Sequence, residues 1–80
     1  MFVYILFSEK SSRYYVGQTA DIEERLKRHN SGRVNSTKYG IPWKVVLLKE
    51  VSERSEAMVL EQKIKKRGAK RYIDDLRGVA

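Results

Sequence analysis

Two phenols, a guanidinium, an imidazole and a carboxylate follow one another along 80 residues: Tyr4, Tyr15, Arg25, His29 and Glu61. As a set they can break a phosphodiester. A guanidinium grips a phosphate through paired, charge-assisted hydrogen bonds. An imidazole moves protons near neutral pH. A single carboxylate suits Mg²⁺, which keeps its waters and takes few protein ligands. A phenol, with an ordinary pKa of about 10, is a poor base at neutral pH. Tyr4 or Tyr15 therefore needs a metal ion, Arg25 or a lysine nearby to favour its phenolate.

Each residue also has a plainer reading. Glu61 follows Leu60 and precedes Ile64 by three, so it borders an apolar stripe. A carboxylate there is costly unless paired or bound to a metal. On position alone an ion pair with Arg25 or Lys65 is the better reading. Arg25 and His29 are four apart and share one helix face, but Asp21 and Glu24 offer Arg25 ordinary ion pairs. A lone histidine on a helix is more often a packing or surface residue than a catalyst. Tyr39 and Trp43 could stack on bases, although Trp43 after Pro42 is equally placed to anchor a core. No zinc spacing, phosphate-cradling loop, serine triad or dinucleotide fingerprint is present.

The elements that must position these groups are legible. Phe2–Phe7 is a β-branched and aromatic run and reads as a strand buried on both faces. Ser8–Arg13 reads as a hairpin connection into a second, antiparallel strand, Tyr14–Thr19. Gly17 inside that strand marks a bulge or a close approach, and it is counted with the residues that meet nucleic acid. Asp21 caps a helix from Ile22 to about Asn30, with Glu24 at the capping-box position and Gly32 just past its end. Residues 32–43 read as a polar loop, long enough to be functional. Lys44–Val51 is a third strand. Ser52 caps a second helix whose buried face is Ala57, Leu60 and Ile64. Gly68 breaks it, and a last helix, Ala69–Leu76, packs Tyr72, Ile73 and Leu76. The expected class is α/β of the α+β type: a three-stranded antiparallel sheet flanked by helices, in the order β-β-α-β-α-α. A single domain spans residues 1–80.

Composition narrows the partners. The net charge is +7, which favours polyanions, nucleic acid first. Six of the nine residues from Lys63 to Arg71 are basic and none is acidic: Lys63, Lys65, Lys66, Arg67, Lys70 and Arg71. They are expected to track a phosphate backbone without reading sequence. With no cysteine, disulfide staples and thiolate metal sites are excluded. The apolar runs are far shorter than the ~20 residues that span a bilayer. The start of the chain lacks the pattern of a signal peptide. The expected location is cytoplasmic, with no membrane partner.

The ordered motifs resemble the GIY-YIG nuclease superfamily, and within it small stand-alone bacterial members similar to the Slx1-type catalytic domain. Phe2-Val3-Tyr4 stands at the first tripeptide and Tyr15-Val16-Gly17 at the second. Gln18-Thr19, Asp21, Arg25, His29-Asn30-Ser31-Gly32, Thr37, Pro42-Trp43 and Glu61 continue the likeness. Phe2 departs from it, standing where the family has glycine. The resemblance implies metal-dependent phosphodiester hydrolysis. It gives Glu61 the divalent metal, a single Mg²⁺ with Mn²⁺ as substitute. Tyr4 would act as, or help activate, the general base, and Tyr15 would orient water or the scissile phosphate. Arg25 would stabilise phosphate charge and His29 assist proton transfer. The expected substrate is single-stranded or branched nucleic acid, DNA ahead of RNA, cut by a monomer or weak dimer. The alternative is a non-catalytic basic nucleic-acid-binding module.

Overall fold

A run of four fully buried side chains, Val3, Tyr4, Ile5 and Leu6, puts β1 (Phe2–Ser8) at the centre of the sheet. β2 (Arg13–Thr19) and β3 (Lys44–Glu50) flank it, both antiparallel, in the order β2-β1-β3. These relations come from a computed structural model that describes residues 1–78. The expected class and element order are found, with α1 at Ile22–Asn30, α2 at Arg54–Arg67 and α3 at Ala69–Leu76.

Successive strand residues face opposite ways, so β1 divides its apolar run between two cores. Val3 and Ile5 join Val16, Ala57, Ile64 and Ile73, which brings α2 and α3 onto one face. Tyr4 and Leu6 join Trp43, with Ile22 and Leu26 of α1 packed against them on the other. A bulge in β3 sets Leu47 opposite Ile5 and Val45 opposite Leu6, with Val46 as the extra residue.

The structure corrects four local expectations. The loop over residues 32–43 contains a 3₁₀ helix, Asn35–Gly40. Its ordering follows from what it carries, since Thr37 and Gly40 are buried against the second core. Ser52 is not the cap of α2. Its hydroxyl donates to the Glu56 carboxylate instead, and the helix starts after Glu53 with no side-chain cap. Glu24 does not complete a capping box. Asp21 does cap α1, accepting from the Glu24 N–H at 3.1 Å, but the Asp21 N–H goes to Thr19 Oγ1 and the Glu24 carboxylate goes to Arg28. In α3, Ile73 and Tyr72 reach the core, whereas Leu76, one turn on, lies past it and is 61% exposed.

Candidate active site

The site begins at a pair across two strands. Tyr4 on β1 stands directly opposite Gly17 on β2. A Cβ on Gly17 would lie 2.5 Å from the Tyr4 Oη and 2.7 Å from its Cζ. The close approach expected at this glycine is therefore made by the protein's own phenol. Glycine is needed there so that the Tyr4 ring can lie over β2.

α1 supplies the next two groups, one turn apart. His29 is 1% exposed. The Tyr4 hydroxyl lies 3.1 Å from its Nε2, and Thr37 Oγ1 lies 2.9 Å from its Nδ1. The Thr37 hydroxyl donates its only hydrogen to the Val34 carbonyl at 3.3 Å. With that hydrogen assigned to Val34, Nδ1 is the donor to Thr37 and the Nε2 lone pair accepts from Tyr4. The line runs Tyr4 to His29 to Thr37 to the backbone, and each buried polar group in it has a partner.

Burial sets the proton positions along this line. It pushes the Tyr4 phenol up to about 12. The neighbouring Tyr15 and, less strongly, the Glu61 carboxylate add to that rise, while the charge and polar contact of Arg25 oppose it. Burial also holds His29 below its ordinary 6.5, with the Arg25 charge adding to the effect. At neutral pH Tyr4 keeps its proton and His29 is neutral. The pair is set to pass a proton from the phenol to the imidazole when something draws the phenol toward ionisation.

Arg25 is half-buried beside them, and its Nε has no hydrogen-bond partner among the described residues. A buried donor left open next to a proton relay is suited to an anionic oxygen. The Tyr15 ring lies 4.8 Å from His29, 6.3 Å from Tyr4 and 6.5 Å from Trp43, closing the aromatic side of the site. Trp43 is a core anchor: it is 3% exposed and its Nε1 donates to the Thr37 carbonyl. Tyr39, 48% exposed, stays open to solvent.

Glu61 on α2 keeps 17% of its side-chain surface and is paired with Lys65 at 2.6 Å. The ion pair read from position is present, and it is the Lys65 version. The carboxylate is also close enough to bear on the Tyr4 phenol. Among the described residues no three metal-ligating side chains come together. A single carboxylate whose charge bears on the Tyr4 phenol nevertheless fits Mg²⁺, which fills its octahedron with water and substrate phosphate. A divalent ion there would compete with the Lys65 ammonium.

The basic tract divides. Lys65, Arg67 and Lys70 are tied to Glu61, Asp75 and Asp74. The Arg67–Asp75 pair is bidentate, at 2.8 and 3.0 Å. Lys63, Lys66 and Arg71 have no salt bridge among the described residues. Two positioning residues received no role from the sequence. Thr37 sets the histidine tautomer. Asn30 clamps the backbone of Trp43, accepting from its N–H at 2.6 Å and donating to its carbonyl at 3.0 Å. Their place in the motif was visible, but their partners are contacts made only on folding.

The GIY-YIG catalytic domain family matches residues 1–73. The chain belongs to the GIY-YIG family. Its relatives include a UPF0213 protein of Bacillus licheniformis, 34% identical over 80 residues, which is 95% of this chain and 81% of that protein. A UPF0213 protein of Syntrophus aciditrophicus is 43% identical over 68 residues, 81% of this chain and 76% of its own length. The UPF0213 protein YazA of Bacillus subtilis is 33% identical over 72 residues, covering 85% and 73%. No solved structure matches the chain. GIY-YIG domains form a nuclease family, so membership implies a nucleic-acid partner. Among the described residues no helix is long and apolar enough to cross a membrane.

Proposed function

We propose that this GIY-YIG chain is a metal-dependent endonuclease of the cytoplasm, acting on single-stranded or branched DNA with little sequence specificity, as a Slx1-type catalytic domain would. The observation that carries this reading is the buried Tyr4–His29–Thr37 line with the open Arg25 Nε beside it. A buried guanidinium N–H open beside a phenol–imidazole pair suits an anionic phosphate oxygen.

Each side chain then has a task. Arg25 holds the non-bridging oxygens and offsets the charge that builds on them. Tyr15 orients the phosphate or the attacking water. Tyr4 takes the water proton as its own proton passes to His29 Nε2, and Thr37 keeps that lone pair aimed. Glu61 would hold one Mg²⁺, or Mn²⁺ in its place, supplying positive charge at the phosphate and the leaving oxygen. The charge of that ion would also lower the cost of ionising Tyr4, which burial makes high.

The test is cleavage of labelled single-stranded, flap and duplex DNA and RNA by the wild type and by Glu61→Ala and Tyr4→Phe, in Mg²⁺, Mn²⁺ or EDTA. The expected outcome is cutting that needs metal and falls at least ~100-fold in either variant. Salt-sensitive binding with no cutting on any substrate would overturn the enzyme reading and leave a basic binding module.

A further inference from the structure

The largest cavity described lies outside the proton line. It measures about 630 Å³ and lies between the edge strand β2 and the corner where α2 meets α3. Its lining includes Tyr14 and Tyr15 from β2, Lys65 from α2, Gly68 at the corner, and Lys70 and Arg71 from α3. Among the described residues no carboxylate lines it. Three other surface cavities each carry at least one: Glu9 in one, Asp21 and Glu24 in another, and Glu24 in a third. Positive charge is spread over the whole protein, so cations alone would single out no place. Cations without a lining acid do.

The cavity is also built to stay open. Gly68 has a φ of +94°, and a Cβ there would meet nothing within 4 Å. The first residues of α3 follow at once with no side chain capping them. Arg71 has no salt bridge among the described residues. Lys65 and Lys70 are held only by pairs one turn along their own helices. The lysine ends are exposed, and the Lys70–Asp74 pair, 73% and 33% exposed, is of a kind that is weak and exchanges readily for a better anion. Two residues join the cavity to the active site: Tyr15, whose ring lies 4.8 Å from His29, and Lys65, which holds Glu61.

We propose that this cavity is a nucleotide subsite. It takes one unstacked nucleotide of the substrate strand next to the phosphate being cut, with the nucleotide's own phosphate on Arg71 and Lys70 and its base against Tyr14, the β2 tyrosine that packs on the α2 and α3 side of the sheet. A volume of this size suits one such group. An aromatic wall with a basic rim is how proteins hold unpaired bases, and a duplex keeps its bases stacked inside. The proposal rests on the nuclease reading for what the strand is, but its test does not need turnover.

The experiment is titration of a labelled single-stranded oligothymidylate, about ten nucleotides long, with the full chain in EDTA, followed by fluorescence anisotropy. Arg71→Ala is compared with Lys49→Ala, a change of equal charge on β3 outside the lining. Both residues are exposed, and circular dichroism checks that both variants fold. Arg71→Ala is expected to weaken binding roughly tenfold and Lys49→Ala by less than about twofold. An abasic strand of the same length, and a duplex, should bind the wild type several-fold more weakly than the oligothymidylate. Equal losses in the two variants would mean diffuse attraction and overturn the subsite. Abasic binding as tight as the parent strand would overturn the place of the base. A chain that shows the expected pattern but never cuts loses the nuclease reading and keeps the subsite. One that cuts without the pattern keeps the nuclease reading and loses the subsite.

Discussion

On one face of β1, Val3 and Ile5 meet Val16, Ala57, Ile64 and Ile73, and the cluster is apolar throughout. On the other, Tyr4 and Leu6 meet Trp43, and the buried polar residues gather there. His29 and Thr37 sit in the proton line, and alternation along the strands puts Ser8 and Thr19 on the same side. One sheet thus separates two duties. Apolar burial needs only shape and area, so the first face supplies stability and tolerates small rearrangement. A hydrogen-bonded line needs distances held to a fraction of an ångström, so the second face supplies geometry and tolerates little. Changes on the two faces should therefore fail in different ways.

The largest effect on folding is expected on the apolar face. Ile64→Ala empties part of a fully buried site and should cost about 2–5 kcal/mol in urea unfolding. Cleavage per folded molecule should stay near wild type. If activity instead fell as steeply as stability, the division between the faces would be wrong.

Gly17→Ala comes next and tests the border. Its Cβ would collide with the Tyr4 ring, whose Oη is 2.5 Å away, at a cost of about 1–3 kcal/mol. Because the atom that must move is the phenol, activity should drop much further than that stability loss alone would produce. Comparing the unfolding midpoint with single-turnover cleavage separates the two.

Thr37→Val keeps the shape and removes the hydroxyl that accepts from His29 Nδ1. The loss in stability should be about 1–2 kcal/mol, for a buried donor left open. The signature specific to a positioning role is a displaced acid limb in the pH–rate profile, which Thr37→Ser should restore. A Thr37→Val profile that overlays the wild type would remove Thr37 from the relay.

The smallest effect is the pH dependence of stability itself. His29 is held below 6.5 by burial and then by Arg25, so near that pH the unfolded chain binds the proton more readily than the folded one. The stabilisation is complete above pH 6.5 and is lost as pH falls through the lowered value. For Tyr4 the sign reverses. Its pKa is raised from 10.0 to about 12, so stability holds below pH 10 and is lost as pH rises through about 12. Urea midpoints across both ranges should show an acid slope that His29→Asn removes and Ile64→Val leaves in place.

How much of this was legible differs by element. β1 was readable because four adjacent side chains are apolar and a central strand buries both faces. α1 was readable at both ends, from the Asp21 cap and from Gly32 after Asn30. The start of α2 misled because Ser52 has two partners within reach, and a carboxylate four residues on outcompetes the backbone N–H. Leu76 misled because periodicity tells which side of a helix a residue is on, not whether the sheet extends that far.

The sequence by itself determined the set of reactive groups, their order and the strands and helices that carry them. Those follow from residue type and local spacing, which need no partner. Only the tertiary structure decided which nitrogen of His29 faces Tyr4, why residue 17 is glycine, that Lys65 rather than Arg25 pairs with Glu61, and which of the six clustered cations line a cavity. Each is a meeting of groups far apart in the chain, settled by strand register and helix packing, and spacing along one chain does not specify either.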